Sequence, residues 1–451
     1  MNTPIADFVR RYADSGTLRA HMPGHKGVGP LGCEALDITE IRGADELYEP
    51  SGIIADSEKN ASALFGAAAT FYSTEGSSQC IRAMLALALY RWRARGGTGR
   101  PVILAARNAH KAFLLAAALL DFDIRWLWPE TEDFSLCRCP IGPEQVRTAL
   151  DGMDPPPAAV YVTSPDYLGG MLDIAGIGAT SHERDVPLLV DNAHGAYLRF
   201  LPGTRHPMEL GADACCDSAH KTLPVLTGGA YLHIGPSAPP DFVKNAKSAL
   251  ALFGSTSPSY LILESLDLCN DALAGDLSRR MADCAARLEE LRAVLRRRGW
   301  QVEDTDPLKL TVAAAASGWT GPELADALGQ RGIECEYADP DFLVLMITNG
   351  NTESDFSRLE SAFSAMDPRK PLERPKLTMA PPVTARSIRE AVLSPWETVA
   401  AEQAAGRVLA APAVSCPPAV PPVVSGEVIA PDALAVFRHY GISTVQVVKE
   451  K

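Results

Sequence analysis

The sequence predicts an α/β fold, in which helices flank a mainly parallel sheet and a smaller α+β unit and a C-terminal segment follow. Strand and helix patterns alternate through the middle of the 451-residue chain, and this alternation is typical of a parallel sheet with crossover connections. Runs such as LLVD at residues 188–191 are apolar without alternation, as expected for strands buried on both faces. Beyond about Tyr260 long helical periodicity replaces this pattern, which indicates a second unit.

The elements of the first part follow in order along the chain. A helix begins at Ser77 and ends after Arg95, because Gly96 and Gly97 follow and glycine commonly ends helices. Further helical patterns cover residues 112–120 and 143–150. Strand patterns cover residues 102–106, 123–128, 158–163, 187–191, 212–217 and 229–234.

The second part has its own set of elements. They are a helical stretch at residues 261–298, strands at 308–315, 334–336 and 342–347, and a helix at 321–329. Residues 367–382 are rich in proline and charge, which is typical of a linker. The last segment has a predicted helix near residues 387–404 and then the proline-dense stretch CPPAVPPVVSGEVI, which favours extended backbone.

Composition and charge exclude several functional classes. A hydrophobic share of 47% supplies enough apolar material for a core and excludes a disordered chain. The 42 Lys and Arg against 55 Asp and Glu give a net charge of −13, which argues against binding to a nucleic-acid backbone. The N-terminal residues carry charges where a signal peptide needs an apolar core, and no apolar run is as long as a membrane span. We therefore expect a cytoplasmic protein without a membrane partner.

The ten cysteines form neither a disulfide scaffold nor a zinc pattern. Their spacings, including Cys137 with Cys139 and the adjacent Cys215 and Cys216, match no ligand spacing for zinc. Reduced, mostly buried thiols are expected, as in a cytoplasmic protein. No pattern in the sequence indicates a metal site.

The stretch DSAHKTLP at residues 217–224 carries the strongest chemical signal. It places Lys221 just past a predicted buried strand, after Ser218 and His220. Earlier in the chain, Asp191 ends the run LLVD at the strand edge where open α/β sheets place their ligands. Taken singly, a surface lysine and a turn or helix-capping aspartate are the structural alternatives.

Two upstream stretches add groups that can bind an anion and a ring. Ser77 and Ser78 open a helix, whose unpaired amides and dipole favour a phosphate, although a plain serine cap gives the same pattern. His110 follows another strand, where a structural histidine is the alternative. An imine lysine, a carboxylate for a ring nitrogen, a planar group and phosphate-binding hydroxyls are together what pyridoxal phosphate (PLP) requires.

Further motifs extend over nearly the whole chain. They are HMPGHKG at 21–27, ITEIRGADELYEPSGII at 38–54, RNAHK at 107–111, VTSPDY at 162–167, DNAHG at 191–195, SAHKTLP at 218–224, STSPSY at 255–260, PPAVP at 417–421 and SGE at 425–427. In their order and spacing the sequence resembles the bacterial ornithine/lysine/arginine decarboxylase family, a branch of the fold type I, aspartate-aminotransferase-like PLP enzymes. The resemblance implies a seven-stranded, mainly parallel sheet.

The resemblance also implies a domain organisation. The expected parts are an N-terminal segment at residues 1–59, a large PLP-binding domain at 60–255, a small α+β domain at 256–366, and a linker with a C-terminal decarboxylase-type domain at 367–451. The chain resembles the shorter, biosynthetic-type members, which have no receiver-like N-terminal domain.

Each matching site residue acquires an implied role. Lys221 would hold the cofactor through an imine, Asp191 would pair with the ring nitrogen, and His110 would stack on the ring. The residues expected to hold the phosphate are Ser77, Ser78, Ser218 and His220. His194 would lie beside the cofactor, and Thr256 would reach the phosphate of a partner subunit, so that the active unit is a homodimer or a dimer-based oligomer.

The implied activity is PLP-dependent decarboxylation of arginine, lysine or ornithine to the amine and CO₂, as in polyamine biosynthesis. Asp45 and Glu427 are the candidate acids for the basic end of the substrate, with solvated surface acids as the alternative. An aminotransferase or lyase of the same fold type is the first competing hypothesis, and Arg358 and Arg369 are the arginines that an aminotransferase could use for the substrate carboxylate. A non-catalytic paralogue is the second.

Two positions depart from the family's phosphate-binding stretch. Glu75 would place a negative charge near a phosphate unless its side chain points away. Cys80 stands where relatives tend to have asparagine. Both departures put the assignment of individual phosphate ligands in doubt.

Overall fold

A computed structural model describes residues 1–131, 133–414 and 420–450. The chain divides into two compact units. The first unit comprises Met1–Ile103, Val146–Val162 and Asp173–Arg279, and the second comprises Leu104–Gln145, Thr163–Leu172 and Arg280–Lys451. The division into four parts expected from the sequence stays a prediction.

The α-helices are numbered in chain order. They are α1 Pro4–Asp14, α2 Ile53–Phe65, α3 Gly76–Ala94, α4 Lys111–Leu120, α5 Pro143–Asp151, α6 Ile174–His182, α7 Ala219–Thr222, α8 Pro240–Ala251, α9 Tyr260–Ala274, α10 Leu277–Arg297, α11 Gly321–Gly329, α12 Glu353–Ser364, α13 Ile388–Leu393 and α14 Pro431–His439. None of the helices in the described ranges is both long enough and apolar enough to cross a membrane.

The strands are numbered in the same way and form three sheets. They are β1 Ala69–Ser73, β2 Val102–Ala106, β3 Asp123–Leu127, β4 Ala159–Thr163, β5 Leu188–Asp191, β6 Ala214–Asp217, β7 Ala230–Ile234, β8 Lys309–Ala313, β9 Tyr337–Ala338, β10 Phe342–Met346, β11 Trp396–Ala400 and β12 Thr444–Val448. The main sheet has seven strands in the order β1-β7-β6-β5-β4-β2-β3. The smaller sheets are β8-β10-β9 and β11-β12.

The main sheet confirms the predicted fold class. β5 pairs with β6 in parallel, whereas β7 runs antiparallel to both β6 and β1. All residues of β5, β6 and β7 are buried, which explains why their sequences are apolar without alternation. The predicted strands at residues 102–106 and 342–347, and the predicted helices at 77–95 and 321–329, are confirmed to within two residues at each end.

Three predicted elements were wrong in extent or kind. The helical stretch at 261–298 is two helices, because α9 ends at Ala274 with Gly275 as its C-cap and α10 begins at Leu277. The predicted helix at 387–404 ends after α13, where Pro395 follows and cannot donate the backbone hydrogen bond that a continuing helix needs; β11 then pairs with β12. The strand expected at 334–336 is displaced to β9.

Candidate active site

The first unit brings the carboxyl ends of β5 and β6 side by side. Asp191, the last residue of β5, stands opposite Cys216 in the parallel register, and the Asn192 N–H donates to the Cys216 carbonyl at 3.0 Å. The turn from Asn192 to Gly195 follows β5, and Ser218 and the short helix α7 follow β6. Parallel strands end at the same edge of a sheet, so the residues after them share one site.

Lys221 and His194 meet at this edge. Lys221 is on α7, and its Nζ lies 3.0 Å from Nε2 of His194 in the turn after β5. His194 is buried and Lys221 is half-buried. The sequence predicted both residues at the site, and the structure places them in hydrogen-bond contact.

The Asp191 carboxylate is buried and engaged by several donors. Only 2% of the residue is exposed. It accepts hydrogen bonds from the Tyr161 hydroxyl at 3.1 Å, the Ala193 N–H at 3.1 Å and the Cys216 thiol at 3.6 Å. These donors offset the cost of burying a carboxylate. The sequence did not predict Tyr161 as a site residue. The one feature that could have indicated it is its polar hydroxyl within the otherwise apolar strand β4.

The start of α3 lies against the other end of this site. The Ser77 and Ser218 hydroxyls are 2.7 Å apart, and both residues are buried. Glu75 is the N-cap residue of α3 and its side chain makes no capping hydrogen bond; Ser78, in the first turn, is half-buried. Amides at the start of a helix together with hydroxyls form an environment suited to an anion.

Two close backbone approaches shape the start of α3. The Gly76 N–H donates to the Gly228 carbonyl at 2.7 Å. Gly228 has a φ of +101°, and a Cβ on it would lie 2.8 Å from the Thr74 carbonyl oxygen. Only glycine fits this position, and the fit holds the loop before β7 against the first turn of α3.

His220 stands beside the same helix start. Its Nδ1 lies 3.0 Å from the Gly229 carbonyl oxygen, and because a carbonyl only accepts, Nδ1 carries the proton of this bond. Its Cε1 lies 3.9 Å from the position of a Cβ on Gly76. Burial lowers the pKa of His220, which favours the neutral imidazole.

The two departures from the family pattern have physical explanations. The Glu75 carboxylate accepts from the backbone N–H of Ser255 and is directed to that loop. Burial raises the pKa of the Cys80 thiol to about 12, so this side chain stays neutral. The Glu75 carboxylate is therefore hydrogen-bonded to Ser255, and Cys80 adds no charge to the start of α3.

His110 belongs to the second unit. It lies between β2 and α4 and caps α4, because its Nδ1 accepts from the Ala112 N–H at 3.0 Å. This bond fixes the tautomer and leaves Nε2 with the proton. The ring-stacking role implied by the resemblance stays a prediction.

Glu427 also belongs to the second unit and forms a buried ion pair. Its two carboxylate oxygens each accept from Arg107, both at 2.7 Å, and one of them also accepts from the Val424 N–H at 2.8 Å. Glu427 is 2% and Arg107 0% exposed. Both oxygens of the Glu427 carboxylate thus already accept hydrogen bonds from Arg107 or Val424. The substrate-binding role expected for Glu427 stays a prediction, and the ion pair gives this residue a structural role instead.

Asp45 has an equally well-defined structural role. Its carboxylate accepts from the backbone N–H groups of Ser51, Gly52, Ile54 and Ala55 at 2.8, 2.8, 3.0 and 3.4 Å. It therefore caps the first turn of α2. Burial tends to raise the pKa of Asp45, but these bonds outweigh it and lower the pKa.

The other predicted positions are described only in part. Thr256 is exposed in the loop before α9, and the neighbouring Ser257 N–H donates to the Ser255 hydroxyl at 3.1 Å. Residues 417–419 of the PPAVP motif lie outside the described residues, whereas Ser425 and Glu427 of the SGE motif are buried.

The donor set of the first unit fits PLP. Lys221 offers an amine for the aldehyde, Asp191 a carboxylate for the ring nitrogen, and Ser77 and Ser218 offer hydroxyls for the phosphate. Thr222, next to Lys221, is buried, and its Oγ1 has no hydrogen-bond partner among the described residues. A bound polar ligand is one way to satisfy such an atom.

Comparison with known proteins assigns the family. Residues 3–311 match the model for the Orn/Lys/Arg decarboxylase major domain. The chain belongs to the Orn/Lys/Arg decarboxylase family. The arginine decarboxylase of Halalkalibacterium halodurans is 30% identical over 469 residues, covering 97% of this chain and 93% of the relative. The uncharacterized protein YaaO of Bacillus subtilis is 28% identical over 460 residues, covering 96% and 93%.

Solved decarboxylase structures share the fold of this family member. The constitutive lysine decarboxylase of E. coli superposes with a TM-score of 0.77 at 18% identity, covering 99% of this chain and 82% of that one. Lysine decarboxylase A of Pseudomonas aeruginosa gives 0.78 at 17% identity, covering 99% and 80%. The predicted fold type I architecture is confirmed, and members of the family use PLP.

Proposed function

We propose that the protein is a PLP-dependent decarboxylase that converts a basic L-amino acid, namely arginine, lysine or ornithine, to the amine and CO₂. The observation that carries the proposal is the contact between Lys221 and His194 at 3.0 Å, beside the buried carboxylate of Asp191. Family membership and the arginine decarboxylases among the relatives support this choice of reaction and substrate class.

The side chains of the first unit would bind the cofactor at two ends, the ring nitrogen and the phosphate. PLP, when bound, supplies an electron sink for the pair of electrons that stays at the substrate Cα when the carboxylate leaves as CO₂. Asp191 would hold the proton on the ring nitrogen, which strengthens that sink. Ser77, Ser218 and the start of α3 would bind the phosphate, with His220 beside them.

Lys221 and His194 are the pair suited to proton transfer. A lysine amine and an imidazole at 3.0 Å can share one proton. Lys221 would hold the cofactor before the substrate arrives, and its released amine would then stand beside His194. The pair can thus hold the proton that returns to the substrate Cα.

Two arginines bear on the competing aminotransferase hypothesis. Arg358 donates to the carbonyls of Arg331 and Gly332 at 3.4 and 3.1 Å. The Arg369 guanidinium carbon lies 3.5 Å from the centre of the Trp319 ring. These contacts give both arginines structural roles, which favours decarboxylation over a reaction that anchors the substrate carboxylate on either of them.

We also propose a homodimer as the active unit. Thr256 and its neighbours in the loop before α9 are exposed, which leaves them available to a second subunit, and fold type I decarboxylases are typically dimeric. The nine cysteines that the structure describes are free thiols, which is compatible with a reducing compartment such as the cytoplasm.

The test is to supply labelled arginine, lysine and ornithine to the PLP-loaded protein and to measure CO₂ and keto acid. We expect CO₂ from one or more of the three and no keto acid, and loss of both CO₂ release and the visible absorbance of bound PLP in K221A. Keto acid without CO₂ would establish the aminotransferase hypothesis, and a colourless protein after PLP addition would establish the non-catalytic one.

A further inference from the structure

A fully buried carboxylate lies directly behind the site. Asp217 ends β6 and is 0% exposed. It accepts from Asn192 Nδ2 at 2.6 Å, His206 Nε2 at 2.9 Å and His233 Nε2 at 3.2 Å. We call these four residues the Asp217 network. Three N–H donors are enough to hold a buried carboxylate ionised and fixed.

The histidine tautomers show that the Asp217 network is held by hydrogen bonds. The Met208 N–H donates to His206 Nδ1 at 3.3 Å, so Nε2 of His206 carries the proton that faces Asp217. The Thr70 hydroxyl lies 2.8 Å from His233 Nδ1 and can satisfy it in the same way. Two histidines and a carboxylate can also bind a transition metal, but a protonated Nε2 has no lone pair to offer.

The charge state agrees with this arrangement. Burial opposes ionisation of Asp217, yet the neighbouring His206 and His233 outweigh it and hold the pKa of that carboxyl well below its usual range. Burial lowers the pKa of His233, which favours the neutral ring. The carboxylate is therefore an anion that must be met by correctly oriented N–H groups.

Asn192 connects the Asp217 network to the turn after β5, which runs from Asn192 to Gly195. It follows Asp191 directly, and the turn closes with the Gly195 N–H donating to the Asn192 carbonyl at 2.7 Å. The Asn192 side chain packs against Gly195 so closely that a Cβ there would lie 2.1 Å from its Oδ1. Between them in this turn is His194, which contacts Lys221.

The same carboxylate is coupled to the phosphate end of the site. Ser218 follows Asp217 in the chain, and its hydroxyl bonds Ser77 at the start of α3. A displacement of Asp217 would thus be transmitted both to the turn after β5 and to the loop after β6.

We infer that Asp217 is a positioning residue, which acts through Asn192 to set the orientation of Asp191 and of the His194–Lys221 pair. This inference rests on the proposed PLP-binding function. It predicts that removing the Asp217 charge weakens PLP binding more than an equally destabilising change just before the other end of β6.

Asp213, the residue just before β6, offers a matched control beside the opposite end of that strand. It is 3% exposed and accepts from His182 Nε2 at 2.8 Å and from the Leu188 N–H at 2.7 Å. D213N and D217N therefore each place an amide where a buried carboxylate was bonded to histidine. The two variants differ in which end of the strand they disturb.

The experiment compares wild type, D217N, D213N and N192A as full-length proteins. PLP affinity is measured by fluorescence titration, the pH midpoint of bound-PLP absorbance by spectroscopy, and thermal stability separately. We expect D217N and N192A to weaken PLP binding about tenfold, as the loss of a buried hydrogen bond implies, and to shift the pH midpoint. D213N should lose stability and retain both PLP readouts.

The outcomes separate this inference from the proposed function. If wild type binds no PLP, the proposed function is wrong. If wild type binds PLP but D217N and N192A match D213N in both readouts, the positioning role is wrong. If D217N does not fold, N192A alone decides, because it leaves the Asp217 carboxylate and both histidines in place. Stoichiometric metal that stabilises wild type and is absent from D217N would overturn the hydrogen-bonded assignment.

Discussion

Arg107 and Glu427, 320 residues apart in sequence, form a bidentate ion pair in the interior of the second unit. The Arg107 guanidinium carbon lies 4.8 Å from the centre of the Trp126 ring and 4.4 Å from that of Trp128. Its Nε also donates to the Pro421 carbonyl at 2.9 Å. Two aromatic faces, a carboxylate and a carbonyl thus surround one buried cation, which fixes the C-terminal segment to the strand end that precedes His110.

Removing the Glu427 carboxylate is expected to destabilise the protein strongly. E427A leaves the buried Arg107 without its counterion, and breaking a buried pair in this way costs about 3–5 kcal/mol. Urea unfolding with global fitting measures the loss. E450A is the matched control, because Glu450 also pairs with an arginine of the C-terminal segment but is 77% exposed, and its midpoint should not move. An E427A protein with unchanged stability and a raised KM would instead identify Glu427 as a substrate acid.

Asp45 should contribute stability through the cap on α2. D45A removes an acceptor for four backbone N–H groups and is expected to cost about 1–2 kcal/mol. Because the pKa of Asp45 is lowered in the folded state, the contribution is present above the ordinary value of 3.8 and is lost as the pH falls through the lowered pKa. The measurement is unfolding of wild type and D45A from pH 7 to pH 3, and D304A, whose side chain is 93% exposed, should follow wild type throughout. A KM effect of D45A without any stability loss would contradict the capping role.

Tyr161 is expected to support catalysis by holding the Asp191 carboxylate. Y161F deletes a hydrogen bond to a buried charge, which is worth about 1.5–3 kcal/mol, so kcat/KM should fall about tenfold or more while the protein stays folded. Steady-state kinetics and PLP titration measure the effect. Y90F, on the exposed side of α3, is the control; equal activity of Y161F and Y90F would remove Tyr161 from the site.

Native thiol reactivity should single out Cys33 among the described cysteines. Burial raises the pKa of Cys80 and Cys139 to about 12 and that of Cys335 to about 11, which leaves about one thiolate in a thousand or fewer at pH 8. Cys33 is only half-buried. Alkylation followed by peptide mass spectrometry should therefore label Cys33 first, and the same reaction in urea should label all of them. Early labelling of Cys80 in the folded protein would show that the start of α3 opens.

Local sequence patterns were sufficient for most elements of the main sheet. The helix that became α3 and the strands that became β2 and β5 have apolar periods set by their own burial, and each lies within a few residues of its predicted bounds. The single helix expected over residues 261–298 failed because one glycine, Gly275, ends α9 without interrupting the apolar period. The strand β11 was missed because it depends on pairing with β12.

The candidate site residues also differ in whether local sequence was enough to predict them. Lys221, Asp191 and Ser218 could be proposed as site residues from the sequence, because their types and order match the chemistry of one cofactor and each lies at the end of a recognisable strand or just after it. Tyr161 and His233 could not, because each lies within an apolar strand, and only strand pairing turns their polar atoms toward Asp191 and Asp217.

The sequence by itself determined the α/β class and the family, and it predicted which residues would hold PLP. These follow from local periodicity and from side-chain types at fixed spacing. Only the tertiary structure decided which contacts each acid makes. Glu427 forms an ion pair with Arg107, Asp45 caps α2, and Asp217 accepts hydrogen bonds from Asn192 and two histidines. The reason is physical, since a carboxylate's role depends on which donors surround it when it leaves water, and long-range packing brings those donors together.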